Sequence, residues 1–235
     1  MSKQHANAII KGGIYRRRNL PNSIKYIQKV LSNHSIDPST QTSDGRTNSC
    51  IDEDRAIEIL KNDPLLKNRL KIPKTRHWFD IGVYDYQYGF LPINIKSTTT
   101  TTSDNIGNLA TCVWALTDAE LAFDKSYQNG PMSKILFNSL KNNKLNKCNK
   151  RDYYFVVINK NNTKDVIVNS FKGLYKITPN INNLPFQVKW NDNREFKYKS
   201  IKKVKEMVIN AIINPRPSWS EVFLRDMRDE FGDIE

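Results

Sequence analysis

The sequence has no long apolar run and few cysteines, and each shortage excludes a class of protein. None of its 235 residues lies in a run that comes near the roughly 18 consecutive apolar residues of a membrane span. The first residues, MSKQHANAIIKGG, lack the apolar segment of a secretory signal. Three cysteines, widely spaced and odd in number, predict neither a disulfide framework nor a zinc site. We therefore expect a cytoplasmic protein, in a reducing compartment, without membrane association.

Histidines and glycine-rich loops are also scarce. The three histidines, His5, His34 and His77, are far apart in the sequence and predict no histidine-rich metal cluster. No glycine-rich loop of the type that cradles phosphates is present. The sequence therefore predicts no nucleotide cofactor.

Positive charge is what the chain has in excess. Lysine and arginine number 37 against 24 acidic residues, for a formal net charge of +13. A protein this basic favours polyanions, and nucleic acid is the usual one, because each neutralised phosphate releases counterions. Two basic stretches, 141–151 and 197–206, would line a phosphate cleft under this interpretation. The alternative is a basic protein whose lysines are simply solvated.

Hydrophobic periodicity predicts an alternation of helices and strands. Helical spacing of apolar residues predicts helices over 21–34, 52–63, 105–123, 131–144, 200–213 and 218–231. Alternating and β-branched runs predict strands over 77–85, 90–98, 151–160, 165–171 and 184–190. The polar stretch 35–49 is predicted to be a loop, and 1–19 a basic arm. With no repeat or clear linker, residues 1–235 are expected to form one α/β or α+β domain.

The two strands over 77–85 and 90–98 are expected to form a hairpin that collects polar side chains. In the second strand Leu91, Ile93 and Ile95 point one way, and Asn94 and Lys96 the other. In the first strand, Phe79, Ile81 and Val83 form an apolar face opposite Asp80. Pairing would then bring Asp80 close to Asn94 and Lys96.

An acid, an amide and a lysine in this arrangement have a chemical use. A carboxylate and a second oxygen ligand can hold Mg²⁺, which prefers hard oxygen ligands. The metal activates water and stabilises charge on a phosphoryl group, and a lysine can orient that water or offset transition-state charge. Together these groups could hydrolyse a phosphodiester.

The segment FDIGVYDYQYGFLPINIK resembles the active-site hairpin of the PD-(D/E)xK nucleases, and specifically of type II restriction endonucleases. NIKSTTTTTSDN and NNLPFQVKW are also similar to sequences of restriction enzymes. The resemblance implies that Asp80 is the first acid and Lys96 the lysine, with Asn94 where a second acid is usual. It also implies a glutamate from an upstream helix, for which Glu53 and Glu58 are candidates and Glu53 is preferred.

This resemblance implies a fold and an activity. The fold would be a restriction-endonuclease-like mixed β-sheet flanked by α-helices, in the α/β class. The activity would be Mg²⁺-dependent cleavage of double-stranded DNA at a specific site by a homodimer. Asp80, Asn94 and Glu53 would be the metal ligands, and Lys96 would complete the catalytic set. Two alternatives are a non-catalytic nucleic-acid-binding protein, in which Asp80 and Lys96 form a structural ion pair, and a structure-specific repair or junction nuclease.

Five consecutive threonines follow the lysine. Hydroxyl and backbone N–H groups donate to phosphate oxygens and fix the register of a protein on a duplex. This indicates DNA contacts by Thr98, Thr99, Thr100, Thr101, Thr102, Ser103 and Asn105. The alternative is a polar loop of low complexity.

Overall fold

The computed structural model describes residues 19–34, 36–74, 77–146, 151–179 and 186–213, together with position 229. Its helices are α1 (Asn22–Asn33), α2 (Gly45–Asn62), α3 (Leu109–Leu116), α4 (Asn129–Lys141) and α5 (Ile201–Ile213). Its strands are β1 (Leu70–Lys71), β2 (Ile81–Asp85), β3 (Gly89–Thr98), β4 (Ser103–Asn105), β5 (Tyr154–Asn159), β6 (Asn162–Ser170), β7 (Thr178–Pro179) and β8 (Phe186–Lys189). The predicted arm over 1–19 and the predicted helix over 218–231 lie outside the described residues, apart from positions 19 and 229.

A mixed five-stranded sheet in the order β1-β2-β3-β5-β6 forms the centre of the structure. Strands β2 and β3 form an antiparallel hairpin, with Ile81 opposite Ile93, and β5 and β6 form another. Strands β3 and β5 are parallel, with Asn94 opposite Phe155. A parallel pair needs a crossover, which here runs through β4, α3 and α4. Both hairpins that the sequence predicts are confirmed.

Apolar side chains cover both faces of this sheet. On one face, Leu91, Ile93 and Ile95 join residues of α1 and α2 in one buried cluster. On the other face, Phe155 and Val157 join residues of α3, α4 and α5 in a second cluster. The fold is therefore a single α/β domain, a mixed five-stranded sheet flanked by helices, as the sequence predicts. Within the described ranges no helix combines the length and the apolar content needed to cross a membrane.

The starts of two helices differ most from the prediction because capping residues set them. Helix α2 begins at Gly45, inside the predicted loop 35–49, because the Asp44 carboxylate accepts hydrogen bonds from the Arg46 N–H and the Thr47 hydroxyl at 2.9 and 3.0 Å. Its first turn is polar and contains no apolar residue, so apolar periodicity does not detect it. Helix α3 covers only part of 105–123. Asn108 caps its start through the Ala110 N–H, and the helix ends at Leu116, where the Thr117 N–H donates to the Val113 carbonyl.

A second, smaller sheet has three strands in the order β4-β8-β7. Strand β4 follows β3 after a short turn and pairs with β8, so Asp104 lies opposite Val188. Phe186, Val188 and Trp190 anchor this sheet in the second core cluster. The predicted strand over 184–190 is thereby confirmed in its described part.

Asp85 joins the β2–β3 turn to helix α1. Its carboxylate accepts hydrogen bonds from the Ser23 hydroxyl at 2.7 Å and the Ser23 N–H at 3.3 Å. It also accepts from the backbone N–H groups of Gln87 and Tyr88 at 2.9 and 3.0 Å. Burial by itself would raise the pKa of Asp85, but these hydrogen bonds outweigh it and hold the pKa below its ordinary value. The charged form therefore stabilises the folded chain.

We expect Asp85→Asn to lower the free energy of unfolding at neutral pH by about 1.5–3 kcal/mol, since the amide cannot accept all of these bonds. The folded-state pKa is depressed, so the stabilisation is complete above the unfolded pKa of about 3.9 and is lost as pH falls through the folded pKa. Urea unfolding of both proteins between about pH 7 and pH 3 measures the difference, which should shrink with acid.

Asp124→Asn is the matched control, because Asp124 is exposed. A deficit in Asp85→Asn that persists unchanged in acid would contradict the role given to the carboxylate.

Candidate active site

The candidate site begins where β3 runs past the start of β2. The last backbone bond of this hairpin is from the Asp80 N–H to the Ile93 carbonyl, at 3.0 Å. Farther along β3, the N–H groups of Ile95 and Ser97 face the same edge, where β2 provides no residue to pair with them. Ile95 donates instead to Asp80 Oδ2 at 2.7 Å, and Ser97 donates to Glu53 Oε1 at 3.2 Å. Two carboxylates thus take the place of a neighbouring strand.

Asp80 and Asn94 are in direct contact, as the sequence predicts. Asn94 Nδ2 donates to Asp80 Oδ2 at 2.7 Å. Asn94 Oδ1 is buried and has no hydrogen-bond partner among the described residues. A buried carbonyl oxygen without a donor is costly unless another group satisfies it, so Asn94 Oδ1 is an atom of this site that could bind a donor or a cation.

The expected apolar face of the first strand is only partly correct. Ile81 and Val83 belong to the cluster under α1 and α2, whereas Phe79 packs with Trp78 in the other cluster. Strand β2 begins at Ile81, so the two-residue alternation does not extend back to Phe79. Asp80, at this junction, still pairs with β3 as predicted.

Helix α2 delivers the upstream glutamate. Glu53 reaches β3 through the Ser97 N–H, while the preceding Asp52 accepts from the Ser97 hydroxyl at 3.0 Å. Asp52 is buried and also accepts from the Ser39 N–H at 2.8 Å, which fixes the helix against the strand. Glu58, the other candidate, is exposed and pairs with Lys61. Of the two candidates the structure therefore brings only Glu53 to the hairpin.

Glu53 carries a strongly perturbed carboxyl group. Burial raises the pKa of Glu53 to about 7. The negative charges of Asp80 and Asp104 act in the same direction, against the positive charge of Lys96. The Ser97 N–H bond also favours the charged form but does not offset burial.

The pKa of the Asp80 carboxyl group is also raised. Burial raises the pKa of Asp80 to about 6, although the Ile95 N–H bond and the charge of Lys96 oppose the change. The charge of Asp54 adds a smaller increase. Both carboxylates therefore lie where negative charge is poorly solvated and a further positive charge would stabilise them.

Asp104 is a member of the site that sequence reasoning missed. Its Oδ1 atom lies 3.8 Å from Lys96 Nζ, and its Oδ2 atom accepts from the Trp190 indole N–H at 2.8 Å. The lysine that the sequence predicts is therefore held by an acid on β4 and a tryptophan that follows β8. Alternation along Ser103–Asn105 could have separated Asp104 from its neighbours, but its contact with Trp190 spans 86 residues.

The threonines form a turn after β3. Thr98 ends β3, and the Thr102 N–H donates to the Thr99 carbonyl at 3.0 Å. Thr100 is buried and its carbonyl accepts from the Asn191 N–H, so its side chain is not at the surface. The remaining predicted DNA contacts are exposed or half-buried: Thr98, Thr99, Thr101, Thr102, Ser103 and Asn105.

The oxygen ligands available to a metal are two carboxylates and one amide. Within the described residues, no three His, Cys, Asp or Glu side chains form a group that could hold a metal ion. Mg²⁺ keeps several waters and needs few protein ligands, so Asp80, Glu53 and Asn94 Oδ1 match its preference for hard oxygen atoms. The buried Asn94 Oδ1 without a donor is the observation that fits a cation.

Comparison with known proteins adds no assignment. The chain matches no protein-family model, and no curated protein matches it. Conclusions about function therefore depend on the geometry of Glu53, Asp80, Asn94, Lys96 and Asp104.

Proposed function

We propose that this protein is a Mg²⁺-dependent endonuclease that cleaves double-stranded DNA at a specific sequence, in the manner of type II restriction enzymes. The observation that supports this most directly is the meeting of Glu53, Asp80 and Asn94 at the unpaired edge of β3, with Lys96 two residues farther along. The resemblance of the hairpin to the PD-(D/E)xK pattern points to the same chemistry. The mixed sheet would then be of the restriction-endonuclease-like type.

The reaction is the hydrolysis of a phosphodiester. Water oxygen forms a bond to phosphorus, one bridging P–O bond breaks, and the leaving oxygen takes up a proton. When bound, Mg²⁺ would supply a water of lowered pKa and positive charge against the phosphoryl oxygens. Asp80, Glu53 and Asn94 Oδ1 would hold it, and their half-buried positions keep bulk water away from the charged groups.

Lys96 would act on the phosphate or on the attacking water. Its side chain is 18% exposed, and its ammonium group lies 3.8 Å from Asp104 Oδ1, a separation that leaves it able to donate elsewhere. Asp104 in turn is held by Trp190. We assign Lys96 the role of offsetting charge in the transition state and Asp104 that of a positioning residue.

A symmetric dimer suits the proposed substrate. An isologous dimer presents the same surface to each half of a palindromic site. The formal charge of +13 favours binding along the phosphate backbone. The threonine turn follows directly after the catalytic strand, and its exposed residues Thr101 and Thr102 would contact phosphates there.

A non-catalytic DNA-binding protein is the second candidate, and one observation favours it. Asn94 stands where the pattern has an acid, and its amide makes a hydrogen bond of 2.7 Å to Asp80 that a carboxylate could not make when charged. If this substitution inactivates the site, the chain would bind its sequence without cutting.

Asp80→Asn should abolish cleavage while the fold and DNA binding persist. The amide keeps an oxygen for the Ile95 N–H and a partner for Asn94, but it removes the negative charge. Plasmid cleavage with Mg²⁺, together with thermal unfolding and a gel-shift assay, measures the three properties. Asp118→Asn, on the surface, is the control. Cleavage by Asp80→Asn near the wild-type rate would show that the site is misassigned.

Lys96→Ala should slow cleavage by roughly a hundredfold to a thousandfold, the usual effect of losing one transition-state charge contact. Asp104→Asn keeps an acceptor for Trp190 and should slow it by only about fivefold, since a partly exposed ion pair contributes up to about 1 kcal/mol. In the double variant the two losses should not multiply, because Asp104 acts through Lys96. Multiplying losses, or a loss below tenfold for Lys96→Ala, would contradict these roles.

Glu53→Gln and Asn94→Asp test whether Asp80 and Glu53 are the two carboxylates that cleavage needs. We expect the chain to cut DNA as it is, Glu53→Gln to lose nearly all activity, and Asn94→Asp to leave it similar or lower, because the new charge lies beside Asp80. Single-turnover cleavage rates of the three proteins provide the comparison. An inactive chain that Asn94→Asp activates would favour the non-catalytic candidate.

Binding should depend strongly on salt. A cleft that neutralises roughly six phosphates should lose about a thousandfold in affinity between about 50 and 200 mM salt. Titration of a labelled duplex at several salt concentrations gives the slope. A flat response would remove the basic stretches 141–151 and 197–206 from the interface.

A further inference from the structure

The outer face of the small sheet carries polar side chains that the proposed reaction does not use. Residues directly opposite each other in an antiparallel pair share a face. Ser103 lies opposite Lys189, and Asn105 lies opposite Gln187. Ser103, Asn105 and Lys189 are exposed and Gln187 is half-buried. These residues therefore form one accessible polar surface, which we call the β4–β8 face.

The inner face of the same sheet is fixed to the candidate active site. Val188 is buried, and Asp104, opposite it, bonds to Trp190 and lies 3.8 Å from Lys96 Nζ. The β4–β8 face is thus separated from the catalytic lysine by the thickness of one strand. Strand β4 is an edge strand of the small sheet, so a duplex bound across this edge would contact both the β4–β8 face and Lys96.

Two amides on this face hold each other in a fixed orientation. Gln187 Nε2 donates to Asn105 Oδ1 at 3.2 Å, and the Thr178 hydroxyl donates to the Gln187 backbone carbonyl at 3.3 Å. An amide has two donor hydrogens and an acceptor oxygen, so this bond uses only one donor of Gln187. Glutamine and asparagine amides pair in bidentate fashion with the N6 and N7 atoms of adenine in the major groove.

The dimensions also suit a groove. Strand β4 has three residues, a length of about 10 Å at roughly 3.3 Å per residue. The major groove is about 12 Å wide and admits a two-stranded ribbon, and β7 adds only 2 residues on the other side of β8. Three residues at this rise match about three base-pair steps of 3.4 Å, so the face would read a short stretch.

We infer that the β4–β8 face enters the major groove, where Gln187, oriented by Asn105, reads the edge of an adenine and Lys189 with Ser103 holds an adjoining phosphate. The inference depends on the proposed function, because it needs a duplex positioned at Lys96. It adds Gln187 as a specificity residue and Lys189 as a phosphate contact to that function, and it gives Asn105 the role of orienting Gln187.

The test is a binding selection from a pool of short duplexes with a randomised centre, without divalent ions. The wild-type chain should enrich one sequence that contains adenine. Gln187→Leu, similar in size but without hydrogen-bonding groups, should lose roughly tenfold to a hundredfold of the discrimination at that adenine and keep its affinity for random duplexes. Asn105→Ala should weaken the same preference. Lys189→Ala should weaken binding to all sequences by the same factor and reduce the slope of log affinity against log salt concentration by about one.

Gln87→Leu is the matched control, because Gln87 is an exposed glutamine at the far end of the β2–β3 hairpin. If Gln187→Leu and Asn105→Ala both fold and select the wild-type sequence unchanged, the inference is overturned while the proposed function stands. If the wild-type chain selects no sequence and cuts no DNA, both are overturned.

Discussion

A strand edge with no strand beside it is the constraint on which the site depends. Where β3 extends past the start of β2, the N–H groups of Ile95 and Ser97 need acceptors, and a buried N–H left without one costs about 1–3 kcal/mol. Asp80 and Glu53 provide the acceptors and are held in poorly solvated positions by doing so. Burial raises the pKa of Glu53 to about 7 and that of Asp80 to about 6. The same two hydrogen bonds therefore complete the edge of the sheet and bring the two acids together. A bound cation would offset the cost of burying the two carboxylates.

The second link in the structure runs from the main sheet to the small one. Lys96, Asp104 and Trp190 connect the end of β3 to β4 and to the turn after β8. Because Trp190 is fully buried, Asp104 cannot move far without disturbing the core. Under the proposals above, this connection would hold the base-reading face and the cutting site in one fixed relation, so that a correctly read sequence presents its phosphate to Lys96.

Alternation in the two strands predicts the contact of Asp80 with Asn94, because period-two patterning fixes which side chains meet across a hairpin. The resemblance to a nuclease pattern, rather than periodicity, suggested Glu53. Asp104 escaped prediction because its partner Trp190 is 86 residues away, and no local pattern encodes such a pairing. The early start of α2 escaped because Asp44 caps a turn with no buried apolar stripe. The sequence therefore did not predict a side-chain contact between distant residues or a helix start set by one capping residue.

The most direct measurement is digestion of a mapped plasmid by the purified chain with Mg²⁺, followed by sequencing of the fragment ends. A specific endonuclease should give discrete fragments whose ends share one short symmetric sequence, and a chelator should stop the reaction. Binding without fragments would identify a non-catalytic DNA-binding protein. Cuts that follow branched or mismatched structure, with no common sequence, would identify a nuclease of the repair or junction kind. Either of these results would contradict the assignment.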